Sequence, residues 1–376
     1  MRVLIIQGQM KAYRQPFFEQ LYSELASHGV DLYVVYGRPS VTEASKSDNV
    51  DLPSEFSARI RNFWILSDKV LYQSVWNEVF KSDMVIVEHA NKHIINYLLM
   101  VASTCGLKKL AFWGHGKNLQ GNSLSISERF KKHTIGCSNW WFAYTKGTKS
   151  YLKERGVPEN HITVVQNSID TKSLRKEIST ITVNESNKFL IDVLGFPSDA
   201  QVAIYCGGLY EKKCLPFLIK SGNKLYSENP QFRLLIVGDG AMKNYIQNSE
   251  ESEPWLRYVG AAFGLDKAKC FSVASVFLCP GLIGLAILDA FAAGLPVITT
   301  KIDWHSPEIE YLEDGVNGVM LPHCEKAYVE GVSKILSDPS LYDKLACGAI
   351  ASGDKYTMMN MVNNFSRGIQ CCLKSM

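Results

Sequence analysis

Short apolar runs separated by polar, helix-compatible stretches recur along the whole chain. Val3 to Gln7, Asp31 to Tyr36, Met84 to Glu88, Lys109 to Trp113, Trp141 to Tyr144 and Thr163 to Gln166 are nearly continuous in hydrophobic residues. Such runs fit strands buried on both faces of a parallel sheet. Between them, Pro16 to His28 places Phe17, Leu21 and Leu25 at helical spacing, and Gly147 to Arg155 reads as a second helix. A second alternation follows: Val202 to Cys206, Arg233 to Val237, Arg257 to Val259, Val276 to Leu278, Pro296 to Thr299 and Gly318 to Met320. Two consecutive βα series predict an α/β protein of two Rossmann-like domains with parallel sheets facing across a cleft. The polar stretch from Thr171 to Asn187 reads as the linker, giving domains 1–185 and 186–355. Met361, Val362, Phe365, Ile369 and Cys372 lie close to helical spacing, so residues 356–376 are expected to form a final amphipathic helix.

Composition fits this picture. A chain of 376 residues with 46% apolar and 11% aromatic content can build two cores. Ten cysteines are scattered without metal-ligand spacing, several inside strand-like runs where a reduced thiol acts as a small hydrophobe. No apolar run approaches the roughly 20 residues needed to span a bilayer. The expected location is cytoplasmic, with peripheral contact on the inner face of the plasma membrane. Residues 1–190 hold 24 Lys and Arg against 17 Asp and Glu, a net of +7, leaving −4 for the remainder. That asymmetry suits an anionic membrane surface or a phosphate-bearing acceptor; a solvated surface without a partner is the alternative. With neither a basic stripe nor a known motif, nucleic acid is not an expected partner.

Candidate chemistry concentrates in the second half. From Cys279-Pro280-Gly281-Leu282-Ile283-Gly284-Leu285, an apolar strand passes through a glycine loop into a helix expected from about Leu285, stopped by Gly294-Leu295-Pro296. Loop glycines and a helix start can approach phosphate, and Asp289 could accept hydrogen bonds from ribose hydroxyls. The same pattern also serves an ordinary strand, loop and helix unit. Further on come Asp303-Trp304-His305-Ser306-Pro307-Glu308-Ile309-Glu310 and Asp314-Gly315-Val316-Asn317-Gly318. Upstream, Ile204-Tyr205-Cys206-Gly207-Gly208-Leu209-Tyr210-Glu211-Lys212-Lys213 joins a strand to a basic turn, and Leu235-Ile236-Val237-Gly238-Asp239-Gly240 ends another strand. The last lacks the third glycine of a dinucleotide fingerprint.

Together these segments resemble the retaining glycosyltransferases of family four, which have the GT-B fold, and in particular a sub-group among bacterial enzymes that build surface polysaccharides. The resemblance implies transfer of a sugar from a nucleotide-diphosphate sugar to a hydroxyl of a growing, lipid-linked glycan, without metal or other cofactor. It implies donor contacts at Gly207, Gly208, Lys213, Gly281, Leu282, Ile283, Gly284, Leu285, Asp289 and Glu308, with Lys213 stabilising the departing diphosphate. Two departures stand out. The family's two glutamates fall here on Gly281 and Asp289, and its diphosphate-clamping arginine on Gly208. In the first half, His115 follows the strand run Phe112-Trp113-Gly114 and is the candidate for touching the transferred sugar. Tyr13, Arg14 and His89 are the acceptor-side candidates, although a structural role fits each of these side chains as well. A nucleotide-sugar epimerase and a non-catalytic binding protein of the same fold remain alternatives, since function resides in the site.

Overall fold

The structure, a computed structural model, describes residues 1–39, 49–66, 68–116 and 132–375. The chain forms two compact units, residues 1–169 with 358–376 and residues 170–357.

In the first unit the strands are β1 (Arg2–Gln7), β2 (Asp31–Gly37), β3 (Ser57–Ile60), β6 (Met84–Glu88), β7 (Lys109–Gly114), β8 (Trp140–Ala143) and β9 (Ile162–Val164), with β4 (Asn62–Ile65) and β5 (Val70–Gln73) forming a separate antiparallel hairpin. The seven-stranded sheet is parallel, in the order β3-β2-β1-β6-β7-β8-β9. Alternation along β1 explains its burial: Val3 and Ile5 enter one core with Met84, Ile86 and Trp113. Leu4 and Ile6 enter the opposite core with Val85, Val87 and Phe112. The strand β3 and the hairpin are absent from the apolar-run reading because their residues alternate with polar or exposed positions.

The final helix, Met358–Lys374, closes the first core. Phe365 stacks on Phe142 with centroids 4.2 Å apart and meets Phe17 and Trp113 edge-on at 5.2 and 5.0 Å. Lys109 Nζ donates to the carbonyls of Cys372, Leu373 and Ser375 at 3.1, 2.8 and 2.6 Å, so a cation satisfies the open carbonyls of the helix end.

The second unit contains β10 (Gln201–Cys206), β11 (Phe232–Val237), β12 (Leu256–Tyr258), β13 (Val276–Cys279), β14 (Val297–Thr300) and β15 (Gly318–Leu321). All pair in parallel, in the order β12-β11-β10-β13-β14-β15. Renumbered within the unit, this is the doubly wound order 3-2-1-4-5-6, whose switch point lies between β10 and β13.

The polar stretch expected to be a linker is instead helical, over Thr171–Thr180 and Val183–Lys188. Polar residues cap both helices: Asp170, just ahead of the stretch, accepts from the Ser173 amide, and Thr182 and Glu185 form a reciprocal capping box. The unit boundary consequently falls at 169/170, ahead of both helices.

Candidate functional site

The strongest cluster lies where β10 and β13 end side by side. Beyond β10 the chain runs through Gly207 and Gly208 into a turn at Glu211–Lys213; beyond β13 it runs through Pro280 to Leu285 into the helix Ala286–Ala292. The two loops are bound together. The Leu282 amide donates to the Lys212 carbonyl at 2.7 Å, and Lys213 Nζ donates to the Leu282 carbonyl at 2.6 Å. Lys213 is buried, with its ammonium 5.4 Å from the Tyr210 ring centroid.

This stitching explains Gly281. A Cβ there would lie 2.3 Å from the Lys213 carbonyl carbon and 2.4 Å from the Lys212 oxygen, inside any real contact. No side chain fits without displacing the turn that carries Lys213. The same economy of space appears at Gly238, where a Cβ would meet the Gly207 oxygen at 1.9 Å.

On the other side, β14 and the following segment hold the loop. Thr299 Oγ1 donates to the Cys279 carbonyl at 2.7 Å, and Thr300 Oγ1 donates to the Pro280 carbonyl while receiving His323 Nδ1 at 2.8 Å. His305 is buried between two backbone groups: Nε2 donates to the Thr300 carbonyl at 2.8 Å, and Nδ1 accepts the Ile283 amide at 3.1 Å. These partners define a neutral ring protonated on Nε2. Burial holds its pKa below the ordinary histidine value, against the Thr300 carbonyl and aided by the Lys213 charge. Thr300, His305 and His323 were not among the residues singled out from sequence; only the position of His305 two residues before Pro307-Glu308 marks it.

The amides of Leu282 and Ile283 are engaged within the protein, and the Ile287 and Leu288 amides in the first turn of the seven-residue helix donate to the Gly284 and Leu285 carbonyls at 3.1 and 3.0 Å. Gly284 has room, its nearest neighbour to an added Cβ being Ser306 Oγ at 3.7 Å.

Asp289 lies in the first turn of that helix, buried, with Oδ1 2.8 Å from Lys267 Nζ. Burial raises its pKa and Lys267 opposes the rise; for Lys267 burial is the largest influence and lowers the pKa, but the charge and hydrogen bond of Asp289 together with Cys206 and Glu177 more than offset it, and the pKa is raised. Lys267, from the helix Gly264–Ser272, is a site residue that sequence reading missed, since no local pattern pairs positions 267 and 289. Glu308 is buried in the turn Pro307–Tyr311. Burial pushes the Cys206 thiol up to about 12, so it behaves as an apolar side chain.

In the first unit, a second cluster occupies the carboxyl ends of β1, β6, β7 and β8. Arg14 follows β1 and lies under little solvent: its guanidinium carbon is 4.3 Å from the Trp113 ring centroid. Its Nη2 donates to Tyr144 Oη at 3.1 Å and lies 4.0 Å from Glu88 Oε1, while Nε donates to Tyr13 Oη at 3.1 Å. Burial works against the charge, but Tyr13, Tyr144 and Glu88 more than offset it, and the Arg14 pKa is raised. Arg14 Nη1 is buried without a hydrogen-bond partner among the described residues. His115, beyond β7, lies with its ring 6.0 Å from Tyr144. His89, the remaining acceptor-side candidate, follows β6. It is buried against Phe112 and Trp141, at 4.6 and 4.9 Å, and bonds Thr134 Oγ1 at 3.0 Å. An imidazole between two large rings gains more from packing than from solvent, which places it in the core. A groove of about 460 Å³ elsewhere in the unit, lined by Lys146, Lys149 and Lys153, is already partly neutralised by Glu159 at 2.9 and 2.6 Å from the latter two.

Comparison with known proteins bears on the second unit most directly: residues 200–338 match the family described as Glycosyl transferases group 1. The chain is 26% identical over 204 residues to the alpha-monoglucosyldiacylglycerol synthase of Acholeplasma laidlawii, covering 53% of this chain and 50% of that protein. It is 25% identical over 162 residues to the phosphatidyl-myo-inositol mannosyltransferase of Mycolicibacterium smegmatis, covering 42% and 40%. The chain thus spans about half the length of the curated relatives it matches, or less. Among solved structures, Alr3699/HepE of Anabaena in complex with UDP superimposes with a TM-score of 0.71 at 14% identity, covering 98% of this chain and 100% of that one. The architecture is the GT-B fold of two Rossmann-like domains, and the segment that matches glycosyl transferases group 1, residues 200–338, carries the Lys213 and Asp289 cluster.

Proposed function

We propose that the chain is a retaining glycosyltransferase that moves a sugar from a nucleotide-diphosphate sugar to a hydroxyl of a growing, lipid-linked glycan in surface polysaccharide synthesis. One observation carries the donor half: a buried lysine, Lys213, is fixed at the switch point of the group 1 domain, where ligands of doubly wound sheets bind. In this reading Lys213 stabilises the departing diphosphate, Gly207, Gly208, Gly284 and Leu285 allow close backbone approach, Asp289 holds the ribose, and Glu308 lies toward the sugar. Lysine supplies the positive charge that a divalent ion would otherwise bring, so the reading includes no resident metal.

The acceptor half rests on the first unit. The orphaned Nη1 of Arg14, beside Tyr13, supports recognition of an acceptor phosphate, and His115 is assigned to the transferred sugar. Exposed Phe63, Ile65 and Leu66 on the β4–β5 hairpin, near exposed Arg61 and Lys69, support contact with a lipid surface. The names of the two relatives, a glucosyldiacylglycerol synthase and a phosphatidylinositol mannosyltransferase, support a lipid acceptor. This reading places the protein on the inner face of the plasma membrane.

Gly281 and Gly208, standing where the resembled enzymes carry glutamate and arginine, favour a second reading in which the fold binds a nucleotide sugar without transferring it. Thermal shift with nucleoside diphosphates and their sugars, with and without EDTA, tests the first step. Saturation at 100 times the dissociation constant adds roughly 2.7 kcal/mol to stability. A selective, EDTA-insensitive shift, followed by acceptor-dependent consumption of that donor, supports transfer. Binding without acceptor-dependent turnover leads to the binding protein, or, where donor sugars interconvert, to an epimerase. No shift with any nucleotide overturns the donor assignment.

A further inference from the structure

The pair formed by Lys267 and Asp289 has a geometry that a buried counter-ion alone does not require. Both residues belong to helices that begin beyond the carboxyl ends of the sheet, Gly264–Ser272 after β12 and Ala286–Ala292 after β13. Their charged atoms meet at 2.8 Å, yet only Asp289 is enclosed; its side chain is 8% exposed and that of Lys267 is 22% exposed. The Lys267 ammonium also lies 5.9 Å from the Phe271 ring centroid, and the Glu177 charge acts on it as well. The ammonium is thus positioned from several directions while keeping an opening to solvent.

A carboxylate only accepts hydrogen bonds and an ammonium only donates them. A vicinal diol offers both functions, because each hydroxyl carries one proton and free lone pairs. Asp289 retains Oδ2 besides the oxygen held by Lys267, and Lys267 retains further N–H donors. Resting on the donor-site reading above, we infer that Lys267 and Asp289 form a two-residue clamp for the ribose diol of the nucleotide. The aspartate accepts from one hydroxyl and the lysine donates to the other. Lys267 is therefore a ribose-recognition residue as well as the group that orients Asp289.

Calorimetric titration with ADP, GDP, UDP and CDP identifies the nucleotide that binds, and its 2′-deoxy and 3′-deoxy forms are then compared. Wild type is expected to prefer the ribose form by about tenfold or more, the scale of a hydrogen bond to a charged group. Lys267→Met, which keeps the stem, should weaken binding of the ribose nucleotide and bring the ribose-to-deoxy ratio toward one. Lys267→Arg should retain most of the preference. A purely structural lysine would lower the melting temperature and weaken ribose and deoxy forms equally, and that unchanged ratio overturns the inference. If Lys267→Met does not fold, the wild-type comparison still decides: binding without discrimination between ribose and deoxy forms overturns the clamp alone. Absence of binding to every diphosphate overturns the donor-site reading, and the clamp with it.

Discussion

Lys213 Nζ donates to the carbonyl of Leu282 at 2.6 Å, joining the loop after β10 to the loop after β13 across the switch point of the second sheet. The same ammonium that is proposed to meet the diphosphate therefore also holds the glycine loop in place, so position and charge are supplied by one side chain.

Lys213→Ala should remove both contributions. Loss of a preorganised charge at a developing oxyanion lowers turnover by roughly 10²–10³-fold. The uncovered Leu282 carbonyl should cost about 1–3 kcal/mol of stability. Steady-state kinetics and a thermal melt on the same preparation measure the two effects; wild-type turnover in the variant would sink the assignment.

Placing a glutamate at 281, to restore the residue of the resembled enzymes, should impair the protein. Even Gly281→Ala forces a Cβ to within 2.3 Å of the Lys213 backbone, and overpacking of this kind costs about 1–3 kcal/mol or more. Both Gly281→Ala and Gly281→Glu are expected to melt lower than wild type and to turn over more slowly. A more active Gly281→Glu enzyme would show that the loop has room that this packing denies.

Stability should fall on mild acidification. Burial lowers the folded pKa of His305, and lowers that of His93 to about 4, while an unfolded histidine titrates near 6.5. A base whose folded pKa is depressed favours the folded state above the unfolded pKa. As pH drops below about 6.5 the unfolded chain takes up protons first and stability declines. For His93 the loss continues to about pH 4, on the order of 3 kcal/mol in all. Melting temperatures between pH 8 and 4 measure it, and His93→Gln should flatten the slope. An unchanged slope would mean that other groups dominate the acid response.

Phe365→Ala should destabilise the first unit by about 3–5 kcal/mol, because the ring fills the space among Phe17, Trp113 and Phe142. Chemical denaturation reports it. Phe365→Leu, which refills part of the volume with an apolar side chain, should recover part of the loss.

Arg14→Met should raise KM for a phosphate-bearing acceptor at least tenfold while leaving the affinity for nucleotide diphosphate unchanged, since Arg14 belongs to the first unit and the diphosphate contacts to the second. Equal losses for acceptors with and without phosphate would identify Arg14 as a packing residue between Trp113 and Tyr144.

The sequence by itself determined the two parallel sheets and the position of the glycine loop between β13 and the following helix. Buried parallel strands leave continuous apolar runs, and the glycines of Cys279 to Leu285 mark a turn between strand and helix whatever surrounds them. Strand β3 and the β4–β5 hairpin were not legible, because a half-exposed strand carries too few apolar positions to be told from a loop. Residues 171–187 misled for the opposite reason: polarity that serves capping looks like polarity that serves solvent. What only the tertiary structure decided is which side chains share a partner. Lys267 meets Asp289 from another helix, His305 receives the Ile283 amide from another loop, Gly281 is glycine because the Lys213 backbone passes beside it, and His89 lies among aromatic rings. Periodicity reports which face of an element is buried, but a buried ion pair or a missing Cβ is fixed by the element packed against it, and that neighbour lies far away in the chain.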